Sequence, residues 1–264
     1  TNASAALKTL SFEQNNVHDF ALFADKKFIV AHDTLQLPSS KIIDVYAYYL
    51  PDAKYNSWSK ATQFITHAIL TRSNWLGEYP YNIVSAVEAP MGFEGGMEYP
   101  CITSISPGED AAELEGTIEH EIGHNWNYGI LATNEREHPW MDEGINSFFD
   151  ERYAATEMIS RPSVKKPTFM SKRMPEAKRD FQLRNIIATQ KDQPIETSSE
   201  KFSERNYNRM SYTKTAQWLK LLETTIGRDM FDSCMHVYYD RWKFKHPYPE
   251  DFKKIFDSVK TKFT

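Results

Sequence analysis

The spacing of apolar and polar residues divides the chain into a β-rich half and an α-rich half. Between residues 20 and about 106, segments rich in Ile, Val and Tyr, several of which alternate apolar with polar positions, predict strands. These segments cover residues 27–31, 41–50, 81–89 and 101–106. One helical pattern interrupts them at residues 55–76, and Gly77 is suited to end that helix.

After Pro107 the apolar spacing becomes helical. It predicts helices over residues 109–128, 142–158, 213–225, 228–244 and 249–259. The polar stretch at residues 160–200 contains the basic residues Lys165, Lys166, Lys172, Arg173, Lys178 and Arg179. We interpret this stretch as a solvated loop or helix face, with an anion-binding patch as the alternative. A β-rich half followed by an α-rich half predicts an α+β fold.

Length, charge, apolar runs and cysteine count exclude several classes of protein. The 264 residues carry a formal charge of −5, and their number suits one large domain or two small lobes. The mild acidic excess argues against a nucleic-acid partner, because proteins that bind nucleic acid present strongly basic surfaces. No apolar run approaches the roughly 18 residues of a membrane span, and no targeting segment is visible, so we expect a soluble protein of undetermined compartment. Cys101 and Cys234 allow at most one disulfide.

The most informative motif is His120-Glu121-x-x-His124, which lies inside a predicted helix. Residues four apart share a helix face, so both imidazoles can bind one ion while Glu121 leans over its open side. Imidazole ligands favour zinc, with cobalt or manganese as alternatives. The motif arises by chance in on the order of one percent of similar chains, and its helical placement strengthens it.

A catalytic zinc ion needs a third protein ligand and one open position. The candidate is Glu143, which opens the next predicted helix and is separated from His124 by residues 125–142. A lone glutamate near a helix start is better explained by capping or by the helix dipole. Together with the two histidines, a role as metal ligand is the better explanation. Asp150 follows on about the same helix face. It is either an orienting partner of a ligand histidine or a surface carboxylate.

Three motifs together resemble the gluzincin aminopeptidases, the family of aminopeptidase N and the leukotriene hydrolase. The first is His120-Glu121-x-x-His124 followed by Glu143 in a W-x-D-E-G context. The second is Gly95-Gly96-Met97-Glu98-Tyr99, similar to the family's G-x-M-E-N signature, with Tyr99 in place of Asn. The third is Tyr212-Thr213-Lys214-Thr215, similar to Y-x-K-G, with Thr215 in place of Gly. Weaker similarity extends the resemblance over nearly the whole chain.

The resemblance implies a thermolysin-like catalytic domain with a cleft between a β-rich lobe at about residues 16–107 and a helical lobe at about residues 108–264. It implies one zinc ion per chain, with His120, His124 and Glu143 as its ligands. Glu121 would be the general base for a zinc-bound water, and the Tyr212 hydroxyl would stabilise the oxyanion. Tyr207 is a weaker candidate to face the site.

The resemblance also implies that Gly95, Gly96, Met97 and Glu98 bind substrate. A carboxylate fixed near the zinc binds the free α-ammonium of a peptide, which limits cleavage to the first peptide bond. Glycines allow the backbone to approach a substrate closely. The expected substrates are therefore peptides with a free N-terminus. Without the zinc motif, a tight turn would explain the glycines and a surface position would explain Glu98.

Family members usually carry a β-rich domain before this region and a helical domain after it. The sequence has no room for either, so we expect an isolated catalytic domain with weak or absent peptidase activity. Two alternatives stay open: a zinc endopeptidase, and a catalytically silent relative that serves as a binding module. The oligomeric state and the preferred first residue of the substrate are not given by the sequence.

Overall fold

The computed structural model describes residues 9–51, 56–107, 110–160 and 178–260. Its first half forms five strands: β1 (Ile29–Gln36), β2 (Ile42–Tyr49), β3 (Ile83–Glu88), β4 (Gly96–Tyr99) and β5 (Ile102–Ile105). A 3-10 turn at Asn56–Lys60 leads into helix α1 (Ala61–Trp75), which separates β2 from β3 in the chain. The first half is therefore β-rich with one long helix, as the sequence pattern predicts.

The five strands form one mixed sheet with the order β1-β2-β3-β5-β4. Strands β2, β3 and β5 run parallel, whereas β1 and β4 lie antiparallel to their neighbours at the two edges. Parallel neighbours require a crossover connection, and α1 provides it between β2 and β3. At the edge of the sheet opposite β1, β4 pairs only with β5 among the described strands. In this pair Glu98 lies opposite Thr103. The outer edge of β4 is thus free to pair with an extended chain.

The second half is helical. Its α-helices are α2 (Ala111–His124), α3 (Ile145–Thr156), α4 (Lys178–Ala188), α5 (Glu204–Tyr207), α6 (Thr215–Ile226), α7 (Arg228–Trp242) and α8 (Pro249–Lys260). A short 3-10 turn spans Ser199–Lys201. Three π-helical segments, Asn125–Leu131, Trp140–Gly144 and Asn208–Lys214, continue, precede or join these α-helices. The mixed sheet followed by helices confirms the α+β fold.

One hydrophobic core contains buried residues of the sheet, of helices α1, α2 and α3, and of helices α6, α7 and α8. Strand β2 buries every second residue, Ile43, Val45 and Ala47, which is the alternation of a half-buried strand. Helix α2 buries Leu114 and Ile118, and Ile122 follows at the same four-residue spacing. Burying this face of α2 leaves its opposite face for the polar residues of the motif.

Several predicted boundaries differ from the structure. The first strand runs over Ile29–Gln36 rather than residues 27–31, because most residues of this edge strand are exposed and it lacks a clean alternation. Strand β4 was not among the predicted strands, because four residues containing a glycine carry too little pattern. The helix predicted at residues 55–76 begins at Ala61, after the 3-10 turn, and residue 55 lies outside the described residues.

The boundaries of two predicted helices also differ from the structure, because each of these helices includes a π-helical segment. The helix predicted at residues 109–128 does not close near Gly129; it continues as a π-helix to Leu131 and ends at Ala132, which has a left-handed φ of 54°. The helix predicted from residue 213 begins at Glu204 and includes a π-helical segment. A π-helix changes the spacing of apolar residues, so a period of 3.6 does not detect it.

Part of the basic stretch cannot be compared with the structure. Lys165, Lys166, Lys172 and Arg173 lie outside the described residues, as does residue 109, whereas Lys178 and Arg179 lie in α4. Within the described chain, no helix combines the length and apolar character that crossing a bilayer requires.

Candidate metal centre

Helix α2 carries both histidines of the H-E-x-x-H motif. Asp110 caps its first turn, where the carboxylate accepts hydrogen bonds from the backbone N–H groups of Ala112 (2.9 Å) and Glu113 (3.0 Å). One turn separates His120 from His124, so their side chains lie side by side. The two Nε2 atoms are 3.1 Å apart, and the ring nitrogens therefore converge on one point.

Glu143 reaches the same point from the π-helical segment Trp140–Gly144. Its Oε2 atom lies 3.3 Å from His124 Nε2 and 3.6 Å from His120 Nε2. The next residue, Gly144, allows this segment to approach its neighbour, because a Cβ there would lie 2.5 Å from the carbonyl oxygen of Ser211. The predicted third ligand is thus brought to the histidines by close backbone packing.

Each histidine is oriented by a carboxylate on its other ring nitrogen. His120 Nδ1 lies 2.6 Å from Asp150 Oδ2, and His124 Nδ1 lies 2.7 Å from Asp142 Oδ1. Such contacts fix the tautomer, so that Nδ1 donates to the carboxylate and Nε2 presents its lone pair to the cleft. Of the two alternatives for Asp150, the orienting partner agrees with this geometry. Asp142 was not anticipated, although it directly precedes Glu143 in the sequence.

A buried arginine binds Asp150, the carboxylate that orients His120. Arg72 in α1 donates to Glu119 Oε1 (2.6 Å) and to Asp150 Oδ1 (2.8 Å). The guanidinium is fully buried, and its two carboxylate partners compensate its charge. Arg72 therefore links the core helix α1 to the carboxylate that orients His120.

The donor set fits zinc. Two imidazole nitrogens and one carboxylate oxygen come within 4.8 Å of one another, which is the ligand combination of catalytic zinc sites. Buried Oε2 of Glu143 has no hydrogen-bond partner among the described residues. A buried carboxylate oxygen without a partner is costly unless a cation binds it. The structure thus places His120, His124 and Glu143 where one ion can bind all three.

Glu121 is directed into the cleft beside these ligands. Its side chain is almost fully buried, and Oε2 has no hydrogen-bond partner in the described part of the chain. Burial raises the pKa of the Glu121 carboxyl to about 7, with His120 and His124 acting in the opposite direction. Gly96 gives it room, because a Cβ at that position would overlap the carboxylate. Such a group can accept and return a proton near neutral pH.

Tyr212 contacts the candidate ligands directly. Its hydroxyl donates a hydrogen bond to Glu143 Oε1, and its ring stacks against His120 with a centroid separation of 6.3 Å. Burial, reinforced by the charge of Glu143, raises the pKa of Tyr212 well above its ordinary value. The hydroxyl therefore stays protonated and remains a donor. Tyr207, the weaker candidate, lies beside it at 6.1 Å between ring centroids and lines the same cleft.

The predicted substrate-binding segment forms the opposite wall. Gly96, Met97 and Glu98 belong to edge strand β4, and Gly95 just before it has a left-handed φ of 83°. One oxygen of Glu98 lies within 4.8 Å of ligand atoms of Glu121 and His124. Burial raises the pKa of Glu98, while His124 lowers it. The carboxylate thus lies next to the metal centre at a strand that can pair with substrate.

One cavity of about 390 Å³ joins these residues. Of the predicted site residues, only Gly95 is absent from its lining. The cavity is also lined by Glu135, Arg136 and Ser199, which the sequence did not single out. The only indication in the sequence was that Glu135 is a carboxylate residue shortly after the H-E-x-x-H motif. The remaining histidines were predicted to lie at the surface or in the core, and none lines the cavity: His18, His32, His67, His138, His236 and His246.

Comparison with known proteins gives a consistent result. Residues 65–263 match the peptidase family M1 domain. Leucine aminopeptidase 2-1 of Meyerozyma guilliermondii is 23% identical over 226 residues, which cover 73% of this chain and 33% of that protein. Human aminopeptidase B is 25% identical over 198 residues, which cover 71% of this chain and 29% of that protein.

The fold is also shared with a solved structure. The M1 zinc metallopeptidase of Deinococcus radiodurans superimposes with a TM-score of 0.63 at 13% identity, over 88% of this chain and 48% of that one. The similarity supports the thermolysin-like catalytic fold that the motifs imply. The chain spans about a third of the length of the two aminopeptidases that it matches.

Proposed function

Because this chain belongs to peptidase family M1, we propose that it is a zinc-dependent aminopeptidase domain that removes the first residue of peptides with a free N-terminus. The observation that carries the proposal is the convergence of His120 Nε2, His124 Nε2 and the unpartnered Glu143 Oε2 beside the buried Glu121. The names of the similar proteins, leucine aminopeptidase and aminopeptidase B, support the same activity.

His120, His124 and Glu143 would hold the zinc ion, and Asp150 and Asp142 would keep the two imidazoles in the ligating tautomer. Bound zinc supplies Lewis acidity and lowers the pKa of water from about 15.7 toward 7. His124 is buried and the other two ligands are mostly buried, so each fixed charge acts more strongly than it would at the surface.

Glu121 moves the proton. Its carboxylate accepts the proton of the attacking water and returns it to the nitrogen of the leaving amine. The bond that breaks is the C–N bond of the first peptide unit, and the products are an amino acid and a shortened peptide. Glu119, the other neighbour of His120 in the helix, is bound to Arg72 instead.

Tyr212 stabilises the charge that develops on the carbonyl oxygen of the substrate. Its hydroxyl stays protonated, and the one proton that it donates to Glu143 in this structure can be donated to that oxygen instead. Loss of one such donor typically lowers the rate by about 10²- to 10³-fold.

Glu98 limits cleavage to the first peptide bond, because it binds the N-terminus of the substrate. Its carboxylate lies next to Glu121 and His124 and can bind the α-ammonium group through charge-assisted hydrogen bonds. The free edge of β4 can pair with the backbone of the same peptide, which aligns the first peptide bond with Glu121.

A comparison of Glu121→Gln with Glu113→Gln tests this proposal, since Glu113 is an exposed residue of the same helix. Zinc-loaded protein is incubated with a free peptide, and the products are identified by mass spectrometry. We expect loss of one N-terminal residue, inhibition by a chelator, and an activity loss of at least about 10²-fold in Glu121→Gln with zinc content retained. Because turnover is expected to be weak, the incubation is long and the protein concentration high. Unchanged activity of Glu121→Gln would remove it as the base, and cleavage of an internal bond by the zinc-loaded parent would contradict the proposal.

A further inference from the structure

Asn125 directly follows the second histidine of the motif and has no role in the proposed chemistry. It is the first residue of the π-helical segment that continues α2, and its side chain is buried. Both ends of its amide are paired: Oδ1 accepts the backbone N–H of Cys101 (2.9 Å), and Nδ2 donates to the carbonyl oxygen of Ile122 (3.0 Å). The side chain of Asn125 therefore joins the end of α2 to a residue of the β-rich half.

Cys101 belongs to the turn between β4 and β5. It has a left-handed φ of 68°, a conformation that a residue with a side chain keeps only when its surroundings hold it. Its N–H donates to Asn125, and its carbonyl oxygen accepts the N–H of Ser85 in β3 (2.8 Å). Among the described residues, the Cys101 N–H has no second acceptor. Asn125 thus provides the hydrogen bond that ties this turn to the end of α2.

A second contact between β4 and α2 lies at the other end of the strand. Gly96 packs so closely on Glu121 that a Cβ at this position would overlap the carboxylate. Glu121 and Asn125 are four residues apart, so they lie on the same side of the helix, about 6 Å apart along its axis. Strand β4 is therefore positioned along α2 at both ends, by a steric contact at Gly96 and by a hydrogen bond at the turn.

Glu98 lies between these two contacts. One of its oxygens is within 4.8 Å of ligand atoms of Glu121 and His124. A charge-assisted hydrogen bond from an ammonium group to a carboxylate spans only about 2.7–2.9 Å. A displacement of β4 by about 1 Å along the helix is enough to misplace such a bond. Recognition of an ammonium group by Glu98 therefore requires that β4 stay in place relative to α2.

We propose that Asn125 is a positioning residue, which holds Glu98 at the place where it binds the α-ammonium group of the substrate. The inference rests on the proposed function, because it takes Glu98 to bind that group. Without the amide of Asn125, the buried Cys101 N–H lacks an acceptor, and movement of the turn toward water relieves that cost. Metal binding is expected to persist, because Asp150 and Asp142 orient the ligand histidines independently of this contact.

The test compares two zinc-binding hydroxamates, L-alanine hydroxamate and propanohydroxamate, which differ only in the α-amino group. Their dissociation constants are measured calorimetrically on zinc-loaded protein, and the ratio of the two reports recognition of the α-ammonium group. We expect Asn125→Ala to reduce this ratio by at least about tenfold relative to the parent, with the affinity for propanohydroxamate unchanged. The control Tyr239→Phe removes a hydrogen bond from α7 to the carbonyl oxygen of Glu78 (2.5 Å), and its ratio is expected to equal that of the parent.

Glu98→Gln shows whether Asn125 acts through Glu98. We expect it to reduce the ratio by a similar factor, and the double variant to reduce the ratio no further, because residues that act through one contact are not additive. A reduced ratio in Glu98→Gln but not in Asn125→Ala would overturn the inference and leave the proposed function standing. An equal loss of affinity for both hydroxamates in Asn125→Ala would also overturn it, since that result indicates a general structural role.

An unchanged ratio in Glu98→Gln would contradict the amine recognition in the proposed function, and this inference with it. Hydrogen exchange of the Cys101 amide tests the contact in the parent protein, whether or not Asn125→Ala folds. We expect slow exchange, because this N–H is paired with Asn125 Oδ1. Exchange at the rate of an unstructured peptide would show that the turn is not tied to α2 and would overturn the proposal.

Discussion

At the scale of single residues, the candidate metal centre depends on the pairing of each imidazole with a carboxylate, which is buried in Asp142 and half-buried in Asp150. Asp150 and Asp142 contact the Nδ1 atoms, and Arg72 in turn fixes Asp150. A neutral imidazole can ligate through Nε2 only when the proton resides on Nδ1, and a carboxylate acceptor at Nδ1 enforces that state. The partners of the histidines therefore matter as much for metal affinity as their own orientation.

The substitution Asp150→Asn tests this dependence. An amide retains the size of the side chain but removes the charge that favours the Nδ1 proton, so we expect zinc affinity to fall by about 10- to 100-fold. Competition with a chromophoric chelator measures the affinity, and Asp240→Asn on the exposed face of α7 is the control. An unchanged affinity in Asp150→Asn would show that the contact does not act on the metal.

Gly96→Ala tests the fit between β4 and Glu121. The added Cβ would overlap the Glu121 carboxylate, so either that side chain or the strand must move. We expect peptidase activity to fall by at least about tenfold, because misplacement of a catalytic group by 1 Å costs about 10²-fold. Zinc content is expected to be unchanged, since no ligand is touched. Activity equal to that of the parent would mean that this close approach is not needed.

At the scale of elements, the site is built where α-helices pass into π-helices. His124 ends α2 just before one π-helical segment, Glu143 lies in the second, and Tyr212 lies in the third. π-Helical turns are frequent at functional sites, because the wider turn changes the direction of the side chains that follow. Glu143 and Tyr212 meet because two such segments pack together at Gly144.

Gly144→Ala is expected to destabilise this junction, whereas Gly116→Ala in α2 is the matched control. At Gly144 a Cβ would lie 2.5 Å from the carbonyl oxygen of Ser211, but at Gly116 it would meet no described atom within 4 Å. We expect Gly144→Ala to lower the free energy of unfolding by about 1–3 kcal/mol through overpacking. Gly116→Ala should raise it by about 0.5–1 kcal/mol through helix propensity. Chemical denaturation measures both, and equal effects would contradict the steric account.

The sequence predicts helices and strands well where the apolar residues keep one period along the whole element. The spacing of Leu114, Ile118 and Ile122 identifies α2, and the four-residue spacing of the histidines then follows from helix geometry. Strand β4 and the π-helical segments were missed, because their form is imposed by neighbours rather than by a local period. Gly96 has little strand propensity and takes its form from pairing with β5.

At the scale of the whole molecule, the helices behind the site are joined by Arg152. It extends from α3 to Glu223 of α6 (2.6 Å) and to Asp232 of α7 (2.7 Å), and its guanidinium lies over the rings of Phe148 and Phe231. A buried cation with two carboxylates and aromatic neighbours is stable only as a complete set. This network links α6 and α7 to α3, the helix that follows Glu143.

Arg152→Ala should therefore destabilise the fold more than Arg228→Ala, which removes an exposed partner of Asp232 at 3.8 Å. Breaking the buried network is expected to cost about 3–5 kcal/mol, whereas an exposed pair contributes about 0–1 kcal/mol. Urea denaturation of the two variants gives the comparison. Similar stabilities would mean that Arg152 does not hold the helices together.

The sequence predicts most residues of the candidate site but not the residues around them. His120, Glu121, His124 and Glu143 follow from fixed spacings, and the residues that complete the cavity do not. Glu135 and Ser199 come together through the packing of distant loops, and no local pattern encodes that contact. The division into a β-rich lobe at about residues 16–107 and a helical lobe at about residues 108–264 stays a prediction.

Cleavage of two peptides of one sequence, one with a free and one with an acetylated N-terminus, tests the central claim most directly. We predict that the zinc-loaded protein cleaves only the free peptide, after its first residue, and that a chelator stops the reaction. That result requires both the metal at His120, His124 and Glu143 and the recognition of the α-ammonium by Glu98. Equal cleavage of the two peptides would indicate an endopeptidase and contradict the account.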